Sequence, residues 1–188
     1  MKIIETRLPG VVIVESKTFR DDRGYFLETW HQARYQAAGL PATFVQDNLS
    51  YSAPGVLRGL HFQEPSAQGK LVSVLQGRAY DVAVDIRLGS PTFGQWVGVI
   101  LEGGECRQLY IPEGFAHGFV VVGDVPALFS YKCTAFYDPN SEGSVVWNDS
   151  DLGIDWPVRE PILAAKDKAA PRLGAIAPDR LPRFAPGS

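Results

Sequence analysis

Short runs of β-forming residues, cut at close intervals by Gly, Pro, Asn and Asp, constrain this chain more than any other feature. Such punctuation leaves little room for helices of ordinary length and points to an all-β sandwich or barrel. The clearest unit is a hairpin: a run over 71–75, a Gln76-Gly77 turn, and a second arm from Arg78 to Arg87. Period-two alternation puts Tyr80, Val82, Val84 and Ile86 on one face of that arm. Ala79, Asp81, Ala83, Asp85 and Arg87 fall on the other. Further strands are expected at 11–16, 95–101, 107–111, 118–122, 127–134 and 143–147.

One helix is predicted over 30–38, where Thr29 and Gln32 have capping-box spacing and Gly39 with Pro41 supplies the stop. A short helical turn is expected within 162–173, ending near Pro171. From about 174 the chain, with Pro178, Pro182 and Pro186, reads as a tail or a strap over the surface. No repeat or linker divides residues 1–188, so one domain is expected. An antiparallel domain of this size manages its strand edges by closing as a jelly roll or barrel, whose interior or mouth is a natural ligand pocket. The polar residues opposite Val82 and Val84 are therefore pocket candidates, with a solvated outer face as the alternative.

Composition narrows the function. A chain of 188 residues, 45% hydrophobic and 21% charged, has enough material for a full core. A net charge of −3, with no Lys/Arg run, gives no electrostatic case for nucleic acid. No apolar run approaches the roughly 18 residues of a membrane span, and the N-terminus meets charges at once, unlike a cleaved signal. Cys106 and Cys133, two lone thiols, read as small buried hydrophobes in a cytoplasmic protein.

The chemistry concentrates in Gly55-Val56-Leu57-Arg58-Gly59-Leu60-His61-Phe62-Gln63 and in Lys70. Histidine can take and return a proton near neutral pH. Cations beside it can hold an anionic ligand or steady an oxyanion. A hairpin histidine satisfied by a backbone carbonyl is the competing reading. Strict alternation would put Arg58 and His61 on opposite faces, so a shared pocket requires a bulge or twist at Gly59.

Several segments in order extend this: Asp21-Asp22-Arg23-Gly24-Tyr25-Phe26, Gln46-Asp47-Asn48, 55–63, 81–87, Ser90-Pro91-Thr92-Phe93-Gly94, 111–119 and Trp147-Asn148-Asp149. Together they resemble the dTDP-4-dehydrorhamnose 3,5-epimerases, from about Thr18 to about Leu173. The resemblance implies an all-β, cupin-type jelly roll (a double-stranded β-helix) with a few short helices. It also implies a homodimer that epimerises dTDP-4-dehydro-6-deoxy-D-glucose at both carbons flanking the ketone.

On that resemblance His61 is the base, Asp167 its partner, Tyr131 the proton donor, and Lys70 the group that steadies the enolate oxygen. From the residues alone, Asp167 would read as a solvated charge, Tyr131 as a core tyrosine and Lys70 as a surface lysine. The resemblance assigns ligand contacts to Arg23, Phe26, Glu28, Gln46, Asp47, Asn48, Arg58, His117, Tyr137, Glu142 and Lys166. Phe26 would meet the base, Tyr137 would close over the pocket or stack on a base, and the cations would meet the diphosphate. Leu49 stands where many relatives carry histidine.

Metal-dependent cupins want a His-x-His pair, and here Gln63 stands where the second histidine would be. No metal and no cofactor are expected, and no Gly-x-Gly-x-x-Gly fingerprint opens a βαβ unit. A mono-epimerase of a related sugar, a metal-dependent cupin and a non-catalytic sugar-nucleotide binder remain the alternatives.

Overall fold

Among the described residues, eleven of the thirteen strands build two antiparallel sheets packed face to face. The protein is described from a computed structural model, whose described residues are 1–185. The six-stranded sheet runs in the order β1 (Lys2–Glu5), β2 (Val12–Glu15), β10 (Arg107–Ile111), β7 (Lys70–Gln76), β12 (Ala127–Cys133) and β5 (Gln46–Ser52). The five-stranded sheet runs β13 (Glu142–Ser144), β6 (Leu57–Gln63), β11 (Phe115–Val121), β8 (Arg78–Asp85) and β9 (Trp96–Glu102). A separate hairpin pairs β3 (Thr18–Asp21) with β4 (Gly24–Leu27). This is the expected jelly roll.

Three apolar layers hold the sheets. Between them, Val72, Val74, Leu109 and Phe129 of one sheet meet Ala79, Ala83, Leu101 and Phe119 of the other. Val82, Val84 and Ile86 point the opposite way, where Leu152, Trp156, Leu173 and Leu181 of the C-terminal segment cover them. The alternation read from the sequence therefore places Asp81 inward, and both faces of β8 are buried rather than one. Burying a side chain of this size against such neighbours contributes roughly 1.5–3 kcal/mol.

The second arm ends at Asp85 rather than Arg87. The Asp85 carboxylate there accepts from the Arg87 guanidinium at 2.8 and 3.0 Å, from Ser90 Oγ at 2.6 Å and from Thr92 Oγ1 at 2.7 Å. That network turns the chain, and the Arg87 guanidinium stacks over Phe115 and Phe184. Asp85 is thus a structural anchor and not a pocket residue.

The helix α1 is shorter than predicted, Gln32–Ala37, and its N-cap is His31, not Thr29. Thr29 instead offers its carbonyl to Gln108 Nε2 at 3.0 Å, and Trp30 packs on Tyr35 and Phe44. Those tertiary contacts hold residues 29 and 30 outside the helix, which caps Val12, Val14, Leu71 and Tyr110 through Tyr35 and Leu40. The expected helical turn is α2, Ala165–Lys168. The proline-rich end is a strap: Leu88 N–H donates to Pro182 O, Phe184 N–H donates to Leu88 O, and Leu181 is buried. Pro186 lies outside the described residues. Among the described residues, no helix is long and apolar enough to cross a membrane.

Candidate active site

Gly59 decides what faces the interior. Along β6, Arg58 pairs with Phe119 and His61 with His117, so two residues of β6 lie opposite one of β11. This is the bulge anticipated at that glycine, and it turns Arg58 and His61 to the same face. Gly59 has φ +129°, and a Cβ there would lie 2.5 Å from Gly118 Cα and 2.8 Å from His117 O. Only glycine fits such a position.

The interior opens into a cavity of about 520 Å³ between the sheets. On its five-stranded wall, His61 Nε2 lies 2.7 Å from Asp167 Oδ1, and Gly59 N–H points to Oδ2 at 3.5 Å. Asp167, delivered by α2, is only 1% exposed. Burial alone would raise its carboxyl. The hydrogen bond and charge of His61, the Gly59 N–H and Lys166 outweigh that, and the net direction is down. A carboxylate so placed fixes the imidazole ring and stabilises its protonated form, while Nδ1 remains for a reacting group.

The opposite wall supplies Tyr131 from β12 and Lys70 from the first position of β7. Burial pushes the Tyr131 phenol up, with Cys133 adding to this and Arg58 opposing it. Burial pushes the Lys70 ammonium down, against the pull of Cys133, Asp81 and Glu142. A base on one sheet thus faces a proton-bearing phenol and a desolvated cation on the other. That arrangement can remove a proton from one side of a bound molecule, hold the resulting negative charge and return a proton from the other side.

The remaining cavity residues divide by depth. His117 is buried on β11, bonded to Asp81 of β8. At the mouth, Lys166 Nζ reaches Glu142 Oε1 at 2.7 Å, and Tyr137 Oη reaches Glu142 Oε2 at 3.4 Å. Arg58 Nε donates to Ser52 Oγ at 3.0 Å. Gln46 and Asn48 lie on the inward face of β5 but outside the cavity lining; Gln46 Nε2 donates to Asn48 Oδ1, and Gln46 Oε1 accepts from the N–H of the lining residue Tyr137.

Six sequence-predicted residues do not line this cavity: Gln46, Asn48, Asp47, Arg23, Glu28 and Phe26. Asp47 alternates to the outer face of β5 and pairs with Lys132 Nζ at 2.9 Å. Arg23 pairs with Asp21 at the tip of the β3–β4 hairpin, and Glu28 pairs with Arg34. Phe26, on the same hairpin, is 70% exposed. Leu49 also faces outward.

Four contributing residues were not singled out by the sequence: Asp81, Ser50, Phe119 and Phe129. Asp81 was only one of the polar pocket candidates opposite Val82 and Val84, with a solvated outer face as the alternative, because its partner His117 lies 36 residues away. Ser50 follows Gln46 and Asn48 in period two, and its buried Oγ has no hydrogen-bond partner among the described residues. Phe129 and Phe119 stack with ring centroids 3.9 Å apart and floor the cavity. Nothing in their sequence context separates them from ordinary core aromatics.

Residues 5–175 match the family model described as dTDP-4-dehydrorhamnose 3,5-epimerase. The chain belongs to this family. It is 55% identical over 176 residues to the dTDP-4-dehydrorhamnose 3,5-epimerase of Salmonella typhimurium, covering 92% of this chain and 96% of that protein. The Legionella pneumophila dTDP-6-deoxy-D-glucose-3,5-epimerase, solved with dTDP-4-keto-L-rhamnose, superposes with a TM-score of 0.94 at 53% identity, covering 98% of each chain. A dTDP-4-dehydrorhamnose 3-epimerase from Streptomyces niveus is 39% identical over 172 residues, covering 90% of this chain and 83% of that one. Among the described residues, no group of three or more His, Cys, Asp and Glu side chains is placed to hold a metal ion.

Proposed function

We propose that this protein inverts both carbons flanking the ketone of dTDP-4-dehydro-6-deoxy-D-glucose, giving dTDP-4-dehydro-L-rhamnose. The observation that carries the mechanism is the placement of His61 and Tyr131 on opposite walls of one cavity. His61 Nδ1 takes the proton from the carbon beside the ketone, and the C–H electron pair moves into the enolate. The enolate oxygen carries the negative charge and is met by the Lys70 ammonium. Tyr131 then gives its proton to the opposite face of that carbon; solvent takes the proton from the His61 imidazolium and returns one to the Tyr131 phenolate, and the cycle repeats at the second carbon. Each inversion is redox-neutral, so no electron acceptor enters the balance. At the mouth, Arg58 and Lys166 meet the diphosphate, and Tyr137 stacks on the thymine.

The whole chain acts as one epimerase unit and works as a homodimer. Phe26 at 70% exposure, Leu49 at 61%, Tyr51 at 64% and Leu75 at 40% are exposed apolar side chains of the kind a subunit interface covers. A second subunit covering them brings its β3–β4 hairpin, with Phe26, to this chain's cavity, which this chain's own hairpin does not line. Arg23 and Glu28 then serve the neighbouring site. A cytoplasmic location fits a substrate of this kind.

The test is turnover of the dTDP-ketosugar in deuterium oxide, followed by NMR and trapped by a reductase that yields the 6-deoxyhexose. Deuterium at both flanking carbons, with dTDP-L-rhamnose as trapped product, is expected. Exchange at one carbon only assigns the protein to the mono-epimerases instead.

A further inference from the structure

The proton-transfer steps leave a second histidine–carboxylate pair unused. His117, 7% exposed, and Asp81, fully buried, stand on adjacent strands β11 and β8 of the same cavity wall. Both Asp81 oxygens approach one ring nitrogen: His117 Nε2 lies 2.9 Å from Oδ2 and 3.1 Å from Oδ1. An ionised carboxylate only accepts, so the hydrogen in this contact belongs to Nε2. Phe129 stacks beside the imidazole at 27° between planes, which holds the ring in its plane. His117 Nδ1 has no hydrogen-bond partner among the described residues, while His117 lines the cavity.

We infer that Asp81 is a positioning residue that fixes His117 as the Nε2–H tautomer, so that Nδ1 accepts a hydrogen bond from a hydroxyl of the substrate's sugar. This refines the epimerase reading and rests on it. Burial keeps the imidazole neutral, Asp81 opposing and the nearby Lys70 and His61 charges adding to it, so that its protonation falls below the usual histidine range. A neutral imidazole whose single N–H is bound to Asp81 has no donor left for a phosphate oxygen. His117 therefore recognises the sugar and not the diphosphate, which is left to the cations at the cavity mouth. A site built to accept from a hydroxyl discriminates strongly, because an analogue without that donor leaves a buried nitrogen unpaired.

Two measurements on the intact protein test this. In wild type labelled with ¹⁵N-histidine, NMR at neutral pH is expected to show His117 protonated at Nε2 and bare at Nδ1. A proton on Nδ1 overturns the inference. In Asp81→Asn the amide can donate to the ring and reverse the tautomer. Calorimetry is then expected to show dTDP-glucose, an unreactive sugar probe, binding about tenfold more weakly. Binding of dTDP alone is expected to stay within about twofold of wild type. Equal losses for both ligands, or no loss for either, contradict the assignment. If Asp81→Asn does not fold, the wild-type NMR decides the question by itself. Failure of wild type to epimerise the ketosugar would remove the epimerase reading, whereas normal wild-type turnover beside a negative binding result removes only the role of Asp81.

Discussion

His61 and His117 are direct cross-strand partners on β6 and β11, yet each turns Nε2 to a different buried carboxylate. Asp167 holds the first at 2.7 Å and Asp81 the second at 2.9 Å. The difference lies in access: the His61 side chain is 26% exposed and the His117 side chain 8%. The more open ring can exchange protons with a bound molecule and with solvent. The enclosed one is suited to recognition.

His61→Asn deletes the base and leaves the cations at the mouth in place. Turnover is expected to fall on the order of 10³-fold, while dTDP affinity stays within about threefold of wild type. Asp167→Asn leaves the imidazole present but removes the charge that supports its protonated form, so a smaller loss, on the order of 10²-fold, is expected. Steady-state kinetics and calorimetry on both variants check this. Asp167→Asn with unchanged turnover would break the proposed dyad.

Lys70 sets the alkaline side of the pH profile. It must be protonated to meet the enolate, and burial lowers the pH at which it loses its proton. Tyr131 is displaced upward by burial, so it is not the group that titrates first. The rate is therefore expected to fall with rising pH before the ordinary lysine value of about 10.4 is reached. Lys70→Arg keeps a charge that does not titrate there, and its residual activity should lose this limb. An identical alkaline limb in Lys70→Arg assigns the limb to another group.

Gly59→Ala tests the bulge. The new Cβ would meet Gly118 Cα at 2.5 Å, on a backbone at φ +129°. Overpacking against main chain of this kind costs about 1–3 kcal/mol, to which the unfavourable backbone conformation adds. Chemical denaturation should show that loss. Activity should fall further than stability alone explains, because Arg58 and His61 depend on the bulge to share a face. Wild-type stability and activity together would mean that the bulge is not needed.

The sequence revealed the strands with a clean apolar period and the segment carrying His61, and it located the irregularity at Gly59 from a conflict between spacing and chemistry. It did not reveal β5. Gln46, Asn48, Ser50 and Ser52 face inward there, while Leu49 and Tyr51 face out, the reverse of an ordinary half-buried strand. A strand that lines a polar cavity and turns apolar residues to an outer surface defeats the usual rule. The helix start failed for a related reason: Thr29 and Trp30 are held by contacts with Gln108, Tyr35 and Phe44, which local spacing does not show. Asp167 and Asp81 reach their histidines across 106 and 36 residues, so neither pairing leaves a local trace. Resemblance implied the first pairing, and only the packing of β8 against β11 reveals the second.

In the proposed mechanism the proton leaves toward one sheet and returns from the other. Tyr131→Phe in deuterium oxide tests it most directly, by comparing hydrogen exchange with formation of inverted product in one NMR time course. Abstraction needs His61 and Lys70 alone, so the variant's enolate should form and be reprotonated from the His61 side with retention. Exchange is therefore expected to outrun inversion in Tyr131→Phe, with inverting turnover reduced on the order of 10²-fold or more. In wild type the two should proceed at comparable rates. If exchange and inversion fall together in the variant, Tyr131 acts in binding or enolate formation, and the two-wall mechanism is contradicted.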